Sequence, residues 1–304
     1  MELSLPFVTI GVCVRNCAHT IHKAIESIIA QDYPHELMEV IFVDDGSKDE
    51  TLSIIKDYIP KMNMKVRIFH HEWKGLGSSR NVVVKNSCGK YIIWVDGDMT
   101  ISSDYVRKLV GFMEGHLNVG IAKGKQALKP GKGLLATLEA YSRAAGRMVD
   151  YQSKRGRLKS LGTGGAIYRI KVIEEVGGFD ENLRGYCEDW DLEIRARKAG
   201  WALSTVDVYF LDYERCGLTW KQLWSRYWLR GYHTHYFLHK NSGMLKHYRM
   251  FPLAALIGGL LHAITLYKKT HQKVVFLLPI QSMFKMTAWY IGFIKSHFNR
   301  YAPK

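Results

Sequence analysis

The feature that most narrows the fold is an alternation, within the first hundred residues, between short apolar runs and segments of helical spacing. Phe7 to Val14, Val40 to Val43, Val66 to Phe69 and Tyr91 to Val95 are short, mostly apolar and rich in Val and Ile. Such runs fit strands buried on both faces. Between them, Ile21, Ile25, Ile28 and Ile29 share one helical face after a capping Thr20, and Leu52, Ile55 and Ile59 share another. A third helix is expected to end at about Asn86. The resulting βαβαβ order predicts the α/β class, with a mostly parallel sheet flanked by helices.

In such sheets ligands bind beyond the carboxyl ends of the strands. Three of these runs end in polar residues, namely Arg15-Asn16, Asp44-Asp45 and Asp96-Gly97-Asp98, and all three are expected to open onto one crevice. The sequence carries neither the GxGxxG turn nor the GxxxxGK[ST] loop that would cradle phosphates. A divalent cation held by carboxylates is then the expected partner of a diphosphate, and Mg²⁺ or Mn²⁺ suits it. Asp98 is the better candidate ligand, since Gly97 is expected to turn the backbone and aim that carboxylate outward. An ordinary Asp-Gly turn is the competing explanation.

A second acidic cluster, Glu188-Asp189-Trp190-Asp191, stands at the start of a segment of helical spacing. It offers a general base for activating a hydroxyl. It also has a purely structural explanation. Asp189, Asp191 and Glu193 lead the segment, while Arg195, Arg197 and Lys198 close it before Gly200, as the helix dipole favours.

Several strings, taken in order, resemble family 2 glycosyltransferases. They are Val43-Asp44-Asp45-Gly46-Ser47-Lys48-Asp49-Glu50-Thr51, Gly77-Ser78-Ser79-Arg80-Asn81, Asp96-Gly97-Asp98, Gly177-Gly178-Phe179-Asp180-Glu181 and Glu188-Asp189-Trp190-Asp191-Leu192. The likeness covers about residues 5 to 215. It implies a Rossmann-like GT-A fold, a nucleotide-sugar donor with UDP the usual nucleotide, and inversion at the anomeric carbon. By the same resemblance, Asp45 contacts the nucleobase, and Cys13 and Arg15 fall where the base pocket is lined. Asp96 contacts the ribose or supports the metal, Asp98 binds the Mg²⁺ or Mn²⁺, and Arg80 lies against the nucleotide or diphosphate. Asp189 is the implied base, and Glu188 orients the acceptor or holds Asp189. The QxxRW element of processive members is not matched, because Gln222 and Arg226 are one residue too far apart and Tyr227 replaces the Trp.

Beyond about Gly115 the sequence reads as less regular, with Lys123-Gly124-Lys125 and Lys129 to Gly133 as loop signals, a helix from Leu134 to Tyr151, and Gly162 to Gly165 as a flexible turn. Of the net charge of +15, the stretch from Arg215 to Lys304 carries +14, with 14 Lys and Arg and no Asp or Glu. Trp220, Trp224, Tyr227, Trp228 and Tyr232 alternate there with Lys221, Arg226 and Arg230, which fits a lipid interface. No nucleic-acid-binding motif accompanies them, so nucleic acid is an unfavoured partner. Two hydrophobic segments follow, Phe251 to Tyr267 and Val274 to Ile294, the second interrupted by Pro279, Gln281 and Lys285. Their lengths leave spanning and interfacial seating both open. The five cysteines form no CxxC pair and are odd in number, which suits a reducing compartment.

The expected organisation is a catalytic domain over residues 1–215 and a basic, aromatic, membrane-associating helical region over 216–304. The expected activity is inverting transfer of a sugar to a hydroxyl of a lipid-linked or surface glycan, on the cytoplasmic face of the cell membrane. Two alternatives are a polyprenyl-phosphate glycosyltransferase, for which a base would be redundant, and a non-catalytic carbohydrate- or nucleic-acid-binding protein.

Overall fold

The computed structural model describes residues 5–127, 130–147, 160–212, 218–241 and 250–300. They fall into two compact units. Of the described residues, one unit takes 5–127, 160–184 and 188–212, and the other takes 130–147, 185–187, 218–241 and 250–300. The expected boundary at 215/216, Cys216 and the stretch 148–151 of the expected Leu134 to Tyr151 helix lie outside the described residues.

The first unit is a single sheet of β1 (Val8–Val14), β2 (Met38–Asp45), β3 (Lys65–His71), β4 (Tyr91–Trp94), β5 (Met99–Ile101), β6 (Val119–Gln126), β7 (Ala166–Arg169) and β8 (Ala202–Asp212), in the order β3-β2-β1-β4-β7-β6-β8-β5. Helices α1 (Ile21–Ile29), α2 (Thr51–Tyr58), α3 (Leu76–Asn86), α4 (Tyr105–Gly115), α6 (Ile170–Glu175) and α7 (Glu188–Lys198) connect or follow the strands. The four strands expected from the apolar runs are β1 to β4, and they pair in parallel. Every residue of β2 is buried, which explains the lack of alternation. Each fully buried Val or Ile there contributes about 1.5–3 kcal/mol. On α1, Ile21, Ala24, Ile25 and Ile28 are buried on the face expected from their spacing. Thr20 precedes the helix but makes no side-chain cap; its hydroxyl donates to the Cys17 carbonyl at 3.2 Å.

Gly11 of β1 is flanked by Ile41 on one side and Trp94 on the other. From β1 the chain builds outward to β3 and then returns to place β4 on the opposite edge of β1. That reversal opens a crevice at the carboxyl ends of β1, β2 and β4.

The stretch after Gly115 is more regular than its sequence suggests, because β6 runs through the expected loop at Lys123-Gly124-Lys125. Its hydrophobic signal is broken by glycines and lysines, and its parallel pairing with β8 is irregular at Val119/Ile121 and at Lys123/Lys125. Gly120 permits the close approach of Trp201, whose Cβ would lie 2.9 Å from an added methyl. β7 is antiparallel to both β4 and β6, so the sheet is mixed.

The second unit contains α5 (Leu134–Arg147), α8 (Trp220–Lys240), α9 (Pro252–Thr270) and α10 (Leu278–Phe298), with a 3-10 turn at Lys273–Leu277 before α10. Thr219 and Gln222 form a capping box that starts α8. Pro279 is accommodated in the first turn of α10, where no N–H donor is required. Gln281 and Lys285 are buried. Lys285 Nζ donates to Glu139 Oε1 at 2.7 Å and to Ser142 Oγ at 2.8 Å. Gly231 of α8 lies against the Trp289 backbone and Gly292 of α10 against the Trp228 backbone, so any side chain at either glycine would force α8 and α10 apart.

Candidate active site

β2 and β4 both pair in parallel with β1, so the polar residues that follow these three strands leave the same edge of the sheet. The Asp45 carboxylate is buried and accepts hydrogen bonds from the backbone N–H groups of Lys74 at 2.7 Å and Gly75 at 3.0 Å. His71 Nδ1 lies 3.4 Å from it. Asp45 thereby ties the 72–75 loop to the end of β2, with lone pairs remaining for a ligand. Gly75 is needed here, having φ of +96° and packing directly on the Arg184 backbone. The loop presents Trp73, 47% exposed, with the exposed Arg15 guanidinium 5.3 Å from its ring centroid. Asp44 performs local work, closing the turn to Ser47 and pairing with His70 at 2.7 Å.

Asp96 and Asp98 are both half-buried just past β4. Gly97 does not adopt a left-handed conformation. It is required by proximity instead, because an added Cβ would lie 2.7 Å from Cys17 Sγ and 2.9 Å from Val14. Asp96 Oδ2 rests against Gly164, where a side chain would collide with it. Two carboxylates separated by a single residue suit a hard divalent cation that completes its shell with water or phosphate oxygens. Among the described residues no group of three or more His, Cys, Asp or Glu forms a closed cage.

Arg80 does not face the crevice as a free cation. It is buried on α3 and ion-paired to buried Glu188 at the start of α7. Its guanidinium lies 5.9 Å from the Trp94 ring and 5.6 Å from Phe179. Burial pushes the Glu188 carboxyl up to about 7; Arg80 pulls it down and Asp189 adds to the rise. Among the described residues, Glu188 Oε2, Tyr168 Oη and Trp94 Nε1 are buried without hydrogen-bond partners. The half-buried Cys13 thiol is pushed up to about 12 by burial, with Arg80 opposing and Asp96, Asp45 and Glu188 adding to the rise. Cys13 is therefore a neutral thiol amid converging carboxylates.

Two of the sequence motifs are physically joined. Asn81 Nδ2 donates to the Phe179 carbonyl at 2.9 Å, and the Phe179 N–H donates back to Asn81 Oδ1 at 2.9 Å. Gly178 leaves room for this clasp, since an added Cβ would come within 2.9 Å of Asn81 Oδ1.

Asp189 is half-buried and accepts from the Trp190 N–H at 2.7 Å through Oδ1. An added Cβ at Gly162, whose φ is +71°, would lie 3.3 Å from Asp189 Oδ2 and 3.5 Å from Lys123 Nζ. The backbone at Gly162 is clamped from two sides. Buried Glu193 accepts from the Leu161 N–H at 3.0 Å and the Gly162 N–H at 2.8 Å, while Lys123 Nζ donates to the Leu161 carbonyl at 2.7 Å. Burial pushes the Glu193 carboxyl up to about 8, and Asp189 adds to this against the pull of the two N–H groups. The acidic start of α7 is thus more than a dipole effect. Asp191 is buried against Arg195, which also donates to the Val176 and Gly178 carbonyls.

Lys123 and Glu193 were not anticipated as parts of the site. Glu193 follows Asp189 by one helical turn, a spacing that places both on one face. Lys123 carried no comparable signal, lying in an apparent loop.

The chain matches the family model described as glycosyl transferase family 2 over residues 9–177, more than half its length. It is 28% identical over 205 residues to glycosyltransferase AglE of Haloferax volcanii, covering 67% of this chain and 66% of that protein. It is 34% identical over 101 residues to poly(ribitol-phosphate) beta-N-acetylglucosaminyltransferase TarS of Staphylococcus aureus, covering 33% of this chain and 18% of that one. The chain therefore spans just under two thirds of the first relative and less than a fifth of the second. The structure is similar to mannosyltransferase PcManGT from Pyrobaculum calidifontis in complex with GDP-Man and Mn²⁺, with a TM-score of 0.65 at 17% identity over 97% of this chain and 88% of that one. It is also similar to S. aureus TarS 1-349 in complex with UDP, with a TM-score of 0.53 at 18% identity over 98% of this chain and 93% of that one. These likenesses establish a shared GT-A fold.

Proposed function

The chain belongs to glycosyl transferase family 2 and has the GT-A fold; on that premise we propose that it is a metal-dependent, inverting glycosyltransferase. The donor is a nucleotide-sugar, with UDP the favoured nucleotide, and the acceptor is a hydroxyl of a lipid-linked or surface glycan. The work is placed at the cytoplasmic face of the cell membrane, with residues 1–215 as the catalytic part. The observation that carries this reading is the convergence of two carboxylates on one short segment: Asp189 Oδ2 lies 3.3 Å from where a Cβ on Gly162 would stand, and Asp96 Oδ2 rests against Gly164.

Asp45 and the loop it fixes, with Trp73 and Arg15 at the rim, receive the nucleoside. Asp98, supported by Asp96, would hold Mg²⁺ or Mn²⁺, which would supply charge neutralisation for the diphosphate leaving group. The acceptor oxygen forms a bond to the anomeric carbon as the carbon–oxygen bond to phosphate breaks. Asp189 takes the acceptor proton, and the electron pair leaves with the nucleoside diphosphate. A hydroxyl needs such a base. Attack opposite the leaving group inverts the centre, so no covalent sugar intermediate forms. Glu188 and Arg80 act as positioning residues at the base of α7, and Glu193 with Lys123 fixes the Gly162 backbone against which Asp189 rests.

A panel of nucleotide-sugars, scored for Mn²⁺-stimulated donor hydrolysis and for transfer to lipid-linked saccharides, tests the proposal. Turnover of one donor that is lost in Asp189→Asn is the expected result. Donor binding without turnover under every condition would sink it.

A further inference from the structure

The outer helices of the second unit are apolar on the side opposite to that of a water-soluble bundle. On α10 the buried stripe includes Gln281, Lys285, Ala288, Gly292 and Ser296, whereas Ile280, Ile291, Ile294 and Phe298 are exposed. On α9 the buried positions are Gly259, Ala263 and Leu266, and Leu253, Ile257, Leu260, Leu261 and Ile264 point outward. These five are between 42% and 64% exposed. In water the large apolar side chains would be turned inward. Small and polar residues at the helix contacts, with large apolar ones outside, are the arrangement of helices packed in lipid.

Charge identifies the lipid. Exposed Lys268, Lys269 and Lys273 flank the α9–α10 turn, and exposed Lys295 and Arg300 lie at the far end of α10. No Asp or Glu occurs from Arg215 to Lys304. Anionic headgroups complement such a surface.

Packing decides how deep the helices go. The segment Lys273–Phe298 is long and apolar enough to cross a membrane by length and composition. However, α8 lies along α10, with Trp220 and Trp224 packed on Phe284, the Gly292 backbone on Trp228, and His235 Nε2 3.1 Å from His297 Nδ1. Crossing by α10 would therefore draw Arg226, Arg230 and the Lys285–Glu139 pair into hydrocarbon, at roughly 3 kcal/mol per cation on insertion scales. It would also carry the three turn lysines to the far side.

We propose that α9 and the outer face of α10 form a monotopic anchor, seated in one leaflet of an anionic phospholipid bilayer with the turn lysines among its headgroups and no segment crossing. The inference rests on the proposed function only for the side of the membrane concerned, and lipid binding is measured separately from donor hydrolysis.

The test is flotation of the full chain with preformed vesicles of phosphatidylcholine, with and without phosphatidylglycerol. The wild type is expected to float with the mixed vesicles and less with phosphatidylcholine alone; failure to float overturns the proposal. Ile257→Glu with Leu261→Glu, both at exposed positions, should weaken vesicle binding by about tenfold or more while leaving donor hydrolysis in vesicle-free buffer unchanged. Unaltered flotation of this variant overturns the assigned face. Replacing Lys268, Lys269 and Lys273 by Gln should lower binding to the mixed vesicles by about fivefold per lysine and spare binding to phosphatidylcholine; equal binding overturns the headgroup contact. For depth, the thiol introduced by Gln272→Cys should react with an impermeant maleimide on intact vesicles, followed by mass spectrometry of that peptide. Protection until the vesicles are lysed would show crossing and overturn the monotopic seating. Hydrolysis lost with flotation intact would count against the proposed reaction and leave the anchor standing.

Discussion

Arg80 and Glu188, 108 positions apart in sequence, form an ion pair with side chains only 5% and 4% exposed, joining α3 to the first turn of α7. The pair sets the position of the residue that follows it, Asp189.

Removing one partner leaves a buried charge uncompensated. Arg80→Met is expected to cost roughly 3–5 kcal/mol, read as a lower urea midpoint. Adding Glu188→Leu to that variant should recover part of the loss. If Arg80→Met alone unfolds at the wild-type midpoint, the pair contributes nothing to stability.

Asp189→Asn keeps the shape of the side chain and removes its basicity. Transfer is expected to fall by roughly 10²- to 10⁴-fold with the donor Kd unchanged by calorimetry. A parallel loss of donor affinity would mean that Asp189 binds donor rather than activating the acceptor.

Asp98→Asn should raise the Mn²⁺ concentration needed for half-maximal turnover, and a chelator should abolish turnover of the wild type until Mn²⁺ is restored. Chelator-resistant turnover would remove the metal from the proposal.

Burial pushes the Glu193 carboxyl up from 4.5 to about 8. The folded protein therefore holds that proton over a range in which the unfolded chain has released it. Its contribution to stability is fully present below the unfolded value of 4.5 and is lost as pH rises through 8. Glu193→Gln should flatten that decline, so the urea midpoint of the wild type is expected to drop relative to the variant between about pH 5 and about pH 9. Parallel pH profiles would contradict the raised value.

Much of the sheet was legible because β1, β2 and β4 are buried on both faces and read as apolar runs, while the half-buried edge strand β3 still shows Val66, Ile68 and Phe69. β6 was not, because Lys123 is buried by donating its protons to the backbone carbonyl of Leu161, which hydropathy cannot register. The acidic clusters were visible as chemistry, and the structure sets one carboxylate of each, Asp96 and Asp189, against the same short segment at Gly164 and Gly162. The ion pair of Arg80 was not legible for a physical reason: its sequence neighbours gave no sign that Glu188, 108 positions on, would pair with it. Gly97 stands in a turn, and the structure needs it there for closeness to Cys17, which its sequence neighbours do not reveal. In the helical unit, Lys285 stood out as an obstacle to burial in an apolar setting, and its resolution through Glu139 required a partner 146 positions away.

That pairing bears on how the protein can be divided or inherited. Glu139 lies on α5, in the middle of the chain, yet it serves the helix nearest the C-terminus. Deleting α10 would remove the Lys285 ammonium that donates to Glu139, so a truncation after the sheet would also change the surroundings of α5. The terminal helices are thus poor candidates for a detachable cassette: any lineage that exchanged them for another anchor would also have had to rewrite α5.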